Sequence, residues 1–207
     1  MWKRIAIIAI VVACVLVVFA FVRFGRPGFV RVPSGGMANT IQPGDHLLTS
    51  SRVETIHRGD IVIFHYPNDP NIRYVSRVIG LAGESVRVVG TQVLINEQPL
   101  AERRVSSKKI DNVIPMKENG AEGTGPYTVY YDEDSSSREA TQSESAYGVA
   151  QPYTVPSGAC FVMGDNRDNS ADSRFHGPVP IGNITARPVL IYANETGDSS
   201  RLFKRLK

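Results

Sequence analysis

The sequence predicts a mainly β protein carried behind one N-terminal membrane-spanning helix. Three observations predict it. An unbroken apolar run opens the chain, short β-favouring runs punctuated by Gly, Pro and Asn follow from residue 32, and no amphipathic helical period stands out between 32 and 200. Short strands at regular spacing with turn residues between them are the pattern of an all-β sandwich or barrel. A content of 42% hydrophobic and 21% charged residues over 207 positions is that of a folded chain, which excludes disorder, collagen-like repeats and a coiled coil for the whole.

Residues 5–22 read IAIIAIVVACVLVVFAFV, 18 apolar residues without a break. At 1.5 Å per residue such a helix is about 27 Å long, close to the hydrocarbon thickness of a bilayer. Backbone groups in hydrocarbon must bond internally, so the run is expected to be helical. A cleaved signal peptide would have a shorter apolar stretch and a small-residue cleavage site; here Arg23, Phe24 and Arg26 follow. Val11-Val12-Ala13-Cys14 loosely resembles a lipoprotein cleavage box, but the run continues eight residues past Cys14. Residues 1–26 are therefore read as a retained anchor with basic flanks. Lys3 and Arg4 precede it and Arg23 and Arg26 follow, so flanking charge barely sets its orientation.

Residues 23–31 read as a short linker. Strands are expected over 45–49, 60–64, 74–79, 85–89 and 92–95, separated by Pro43-Gly44, Arg58-Gly59-Asp60, Pro67-Asn68, Ala82-Gly83 and Val89-Gly90. Residues 101–151 change character, with a Gly-rich stretch and then DEDSSSREATQSES over 132–145. This reads as a mobile, cap-like surface insertion with some β or loop structure. A further stretch over 153–163 and a last strand over 186–192 complete one β domain, built from 27–100 and 152–194. The tail, 195–207, ends RLFKRLK; a contact with lipid headgroups and a solvated terminus both remain open.

Charge narrows the function classes. The net charge is +3, but eight basic residues lie in the first 26 and last seven positions, which hold no acid. Without those ends, 15 basic face 20 acidic side chains, so the body lacks the basic face that nucleic acid needs. Basic ends suit a membrane surface instead. Cys14 and Cys160 are the only cysteines and are not expected to bridge. With no CxxC, HExxH or GxxxxGK[ST], no metal, nucleotide or other cofactor is implied.

Four segments then fall into a recognisable order: Val32-Pro33-Ser34-Gly35-Gly36-Met37 with Pro43-Gly44-Asp45; Arg58-Gly59-Asp60-Ile61-Val62-Ile63-Phe64; Tyr74-Val75-Ser76-Arg77-Val78-Ile79-Gly80; and GDNRDNSADSR over 164–174. Together they resemble the type I (leader) signal peptidase family over about residues 5–98 and 153–192. The resemblance implies a signal-peptidase-like β-rich domain and a serine endopeptidase whose Ser/Lys dyad removes signal peptides from exported precursors outside the membrane. In that family the nucleophile lies in Pro-Ser-x-Ser-Met and the base in Tyr-x-Lys-Arg. Here those positions hold Gly36 and Ser76. Glycine offers no oxygen to acylate, and a serine hydroxyl is no base near neutral pH. The chain is therefore expected to be an inactive homologue that binds exported or surface-protein segments.

The resemblance assigns Ser34 to the oxyanion-stabilising position, Ser170 to the serine that hydrogen-bonds the lysine, and Arg77, Asp172 and Arg174 to bracing. Those three are expected to form one ion-pair network. The alternative is an active peptidase with a rearranged nucleophile such as Ser34. His57, His65 and His176 read as surface or structural residues, and Lys108 and Lys109 lack motif context. Asn39 and Ala82 stand where the family usually has proline. Implied partners are signal peptides or exported segments, the lipid bilayer and surface-assembly machinery, with the C-terminal domain outside the cytoplasm.

Overall fold

The computed structural model describes residues 2, 5–12, 14–15, 25–108, 117–133, 142, 144–149 and 151–206. Its strands are β1 (Pro27–Arg31), β2 (Asp45–Ser50), β3 (Ile61–Tyr66), β4 (Asp69–Gly80), β5 (Ser85–Val89), β6 (Gln92–Ile95) and β7 (Gln98–Pro99). After these come β8 (Arg103–Lys108), β9 (Lys117–Glu122), β10 (Thr128–Asp132), β11 (Tyr153–Thr154), β12 (Ala159–Met163), β13 (Val179–Pro180) and β14 (Ile184–Asn194). A one-turn helix, Ser173–His176, is capped by the Asp172 side chain, which accepts from the Arg174 amide.

A seven-stranded sheet in the order β1-β2-β14-β3-β4-β12-β13 forms the body, beside a four-stranded sheet β11-β5-β6-β7 and a three-stranded sheet β10-β8-β9. The alternation read from sequence sets which faces are buried: β5 and β6 bury Val86, Val88, Val93 and Ile95, which pack with Ile79, Val155, Phe161 and Met163. A second core of Val32, Met37, Ile41, Leu47, Ile61 and Ile191 lies beneath the 32–45 loop. A third joins Val62, Phe64, Val78, Cys160, Val162 and Val179. Each such side chain contributes roughly 1.5–3 kcal/mol on burial.

Three readings need correction. Residues 27–31, read as linker, form edge strand β1, with Phe29 opposite Leu48 of β2. The described part of the 101–151 insertion is built in: β10 lies parallel to β8, and Val105, Val129 and Tyr131 are buried. The tail turns inward at Arg201, which is 6% exposed and donates from Nε to Asp45 Oδ1 at 3.1 Å. A buried guanidinium with a carboxylate partner has left the headgroup-seeking pool.

Among the described residues no helix is long and apolar enough to cross a membrane. Residues 5–12 and 14–15 are helical, with exposed apolar side chains. The remainder of the expected 1–26 anchor, 1, 3–4, 13 and 16–24, lies outside the described residues, as do Lys109 and, of the polar stretch 132–145, residues 134–141 and 143.

Candidate active site

The 32–45 loop is closed at its base by backbone bonds from Val32 N to Asp45 O (2.9 Å) and from Gly44 N to Val32 O (2.8 Å). Inside it Met37, Ala38 and Ile41 are buried, which anchors the loop from below and leaves Ser34 exposed and Gly36 half-buried above. Ser76 sits on β4 opposite Val62 of β3 and is 1% exposed. Gly36, Ser76, Ser34 and Ser170 line one cavity of about 590 Å3. The structure thus brings together the two dyad positions and both assigned hydroxyl positions.

The 164–174 segment is held against this loop by backbone and ionic ties. Asn166 N donates to Gly36 O at 3.1 Å, and its side-chain amide donates to Gly35 O at 3.0 Å. Gly164 makes the closest approach: a Cβ there would lie 2.2 Å from Ser170 Oγ and 2.3 Å from Gly36 O, so only glycine fits. Arg174 pairs with Asp172 through Nε to Oδ1 and Nη2 to Oδ2, both 2.9 Å, and its Nη2 also reaches Arg167 O at 2.6 Å. Burial alone would raise the Asp172 pKa, but the Arg174 guanidinium and the Gly164 and Arg174 amides outweigh it and hold the carboxyl below its ordinary value.

The expected single network of Arg77, Asp172 and Arg174 is divided. Successive strand side chains leave opposite faces, so Arg77 points away from Ser76. It meets Asp165 instead, donating from Nε at 2.8 Å and Nη2 at 2.7 Å, and covers the Tyr127 ring at 4.2 Å. Thr40 donates to the same carboxylate at 2.6 Å. A third buried pair, Arg167 with Glu102, has bonds of 2.9 and 2.6 Å and 0% exposure on both sides. Burial would lower the Arg167 pKa, but Glu102 overrides it and holds the guanidinium well above its ordinary value.

Sequence reasoning missed Asp165, Arg167 and Glu102 as bracing residues, and Glu144 and Asp168 as carboxylates of the cavity wall. Asp165, Arg167 and Asp168 stood inside the quoted block; Glu102 and Glu144 carried no local signal. Of the histidines, His176 packs against Phe64 and Tyr66 and does not line the cavity. Among the described residues no group of His, Cys, Asp and Glu could hold a metal ion.

A second, smaller hollow of about 210 Å3 adjoins the cavity, sharing Ser34, Tyr74 and Val75, and is lined otherwise by residues such as Val30, Val32, Leu47, Ile63 and Ile72. A mostly apolar hollow beside edge strand β1, with Arg31 and Arg73 in its lining, adjoins a hydroxyl-lined chamber behind an ion-paired loop. This arrangement on a mainly β scaffold defines a signal-peptidase-like protein.

The chain belongs to the family described as signal peptidase, peptidase S26, which it matches over residues 2–193. It is similar to signal peptidase I of Pseudomonas aeruginosa, 30% identical over 192 residues that cover 78% of this chain and 63% of that protein. Signal peptidase I of Aquifex aeolicus is 28% identical, with 93% of this chain and 84% of the relative covered. The chain thus spans less than two thirds of the length of the Pseudomonas relative. A crystal structure of a signal peptidase I from Enterococcus faecalis aligns with 24% identity and a TM-score of 0.38, covering 66% of this chain and 98% of that one.

Proposed function

We propose that this chain is a membrane-anchored signal-peptidase homologue without peptidase turnover, which holds extended segments of exported or surface proteins. The observation that carries the reading is the pairing of Gly36 and Ser76 on the wall of one cavity. Where attack on a carbonyl would begin there is no hydroxyl at one position and no amine at the other. An oxyanion site without its nucleophile leaves roughly 10³–10⁴-fold over water, far short of an enzyme. Ser34 lines the same wall, and among the described residues no lysine or histidine lines it, which disfavours Ser34 as a substitute nucleophile.

Binding is supported by two features. Among the described residues edge strand β1 pairs only with β2, so a second strand can add on its other side by main-chain bonds. The hollow beside it is small and lined mostly by apolar residues, with Arg31 and Arg73 among them, which suits small side chains at alternate positions. In this reading 1–26 is a single-pass anchor in the cell membrane, the domain built from 27–100 and 152–194 lies outside the cytoplasm, and 101–151 covers it. Signal peptides, exported segments and surface-assembly machinery are the partners.

The test mixes the full chain in detergent with a precursor peptide carrying Ala-x-Ala and follows cleavage by chromatography and binding by fluorescence anisotropy. Binding without cleavage is expected. Turnover that Ser34→Ala abolishes would establish the alternative of a rearranged active peptidase.

A further inference from the structure

β4 pairs with β3 from Asp69 to Arg77, but β12 joins its other side only at Arg77, Val78 and Gly80. Among the described residues the first half of β4 therefore has an open edge, as β1 does. The hollow of about 210 Å3 is lined from both: residues 30–34 come from the β1 side and 72–75 from β4. An extended segment lying there has two main chains to bond with.

The charge of that lining says what such a segment carries. It holds two arginines and no acid. Arg31 is already satisfied, donating from Nε and Nη2 to Glu195 at 2.6 and 2.8 Å. Arg73 is exposed and, among the described residues, meets no carboxylate. On β4 it stands opposite His65, two positions from Val75, which stands opposite Ile63. Arg73 and Val75 therefore leave the same face of the strand, while Tyr74 and Ser76 leave the other.

We propose that the hollow selects an acidic segment, one with an aspartate or glutamate opposite Arg73 and a small residue two positions away, opposite Val75. The inference rests on the peptide-holding reading above and gives it a specificity. Side chains directly opposite on neighbouring strands lie close enough to pair, and opposite charges there attract. Because successive side chains alternate between faces, an acid one position to either side points away from Arg73 and gains nothing. The adjoining cavity has Glu144 and Asp168 in its wall, so a second carboxylate reaching into it is repelled. Arg73 is thus a specificity-determining residue, and the acid belongs at the hollow end of the segment.

The test uses the full chain in neutral detergent and fluorescent Ala-x-Ala peptides in which each position in turn is Asp, Asn or Lys, with binding read by anisotropy. At one position Asp should bind about two- to fivefold tighter than Asn, as an exposed ion pair does. The gain should be absent at both adjacent positions and should fade at about 0.5 M salt. Arg73→Glu, a change on the surface, should invert the order at that position alone, so that Lys binds tighter than Asp there. Asp and Asn binding equally at every position, a preference spread over adjacent positions, or one that survives Arg73→Glu overturns the acidic specificity and leaves peptide holding intact. No binding by any peptide sinks the peptide-holding reading and this inference with it.

Discussion

Replacing Gly36 by serine and Ser76 by lysine together should turn this chain into a peptidase. The steric cost is small. A Cβ on Gly36 would lie 3.4 Å from Ser170 Oγ and 3.7 Å from Asn169 O, and the Gly36 backbone is not in the left-handed region. A lysine at 76 would start from a buried strand position and extend into the cavity of about 590 Å3. Burial disfavours its ammonium and brings its pKa toward working pH, so the rate should rise with pH as the amine loses its proton. Nucleophile and base act as a unit, and losing either removes about 10⁶ in kcat, or roughly 8 kcal/mol at 1.36 kcal/mol per tenfold. Each single revertant should therefore stay within about tenfold of the unaltered chain, and the double revertant should exceed it by at least roughly 10⁴. The assay is cleavage of an Ala-x-Ala peptide by the full chain in detergent, with labelling by a warhead that modifies activated hydroxyls. Reasoning from the dyad is refuted if the unaltered chain cleaves as fast as the double revertant, or if Gly36→Ser alone does.

Glu102→Gln should destabilise the fold by about 3–5 kcal/mol, because it strands the fully buried Arg167 charge; urea denaturation followed by tryptophan-independent circular dichroism measures it, and an unchanged midpoint refutes the pairing. Glu195 accepts from Arg31 Nε and Nη2 at 2.6 and 2.8 Å, and this pulls its carboxyl down from 4.5 to about 2. The sign follows: the tie between β1 and the end of β14 is complete above about pH 4.5 and is lost as pH falls toward 2. Carbon-detected titration should find the low value, and Arg31→Ala should return it to the ordinary range. Burial pushes the Cys160 thiol up to about 12, so peptide-level mass spectrometry should find it unlabelled by thiol reagents until the chain is unfolded.

The strands with clear apolar alternation and turn residues at both ends were legible, and β2 to β6 lie within a few residues of their expected places. Edge strand β1 was not, because PGFVR is too short to show a period and becomes a strand only by pairing with β2. β8 and β9 read RRVSSK and KENGAE, polar stretches whose pairing is set by tertiary context. At the site, it was the family resemblance that named Gly36, Ser76, Ser34 and Ser170, and the four line one cavity. The resemblance put Arg77 in one network with Asp172 and Arg174; Arg77 meets Asp165 instead, because its side chain leaves the face of β4 opposite Ser76. Arg201 looked like a free cation because Asp45, its partner, lies 156 positions away.

Gly36 gives the fold only its carbonyl, and Ser76 only its rung in the β3–β4 ladder. Every ionic tie that shapes the chamber belongs to other residues. Sequence change at these two positions therefore leaves in place the buried ion pairs that hold the loop and the 164–174 segment together.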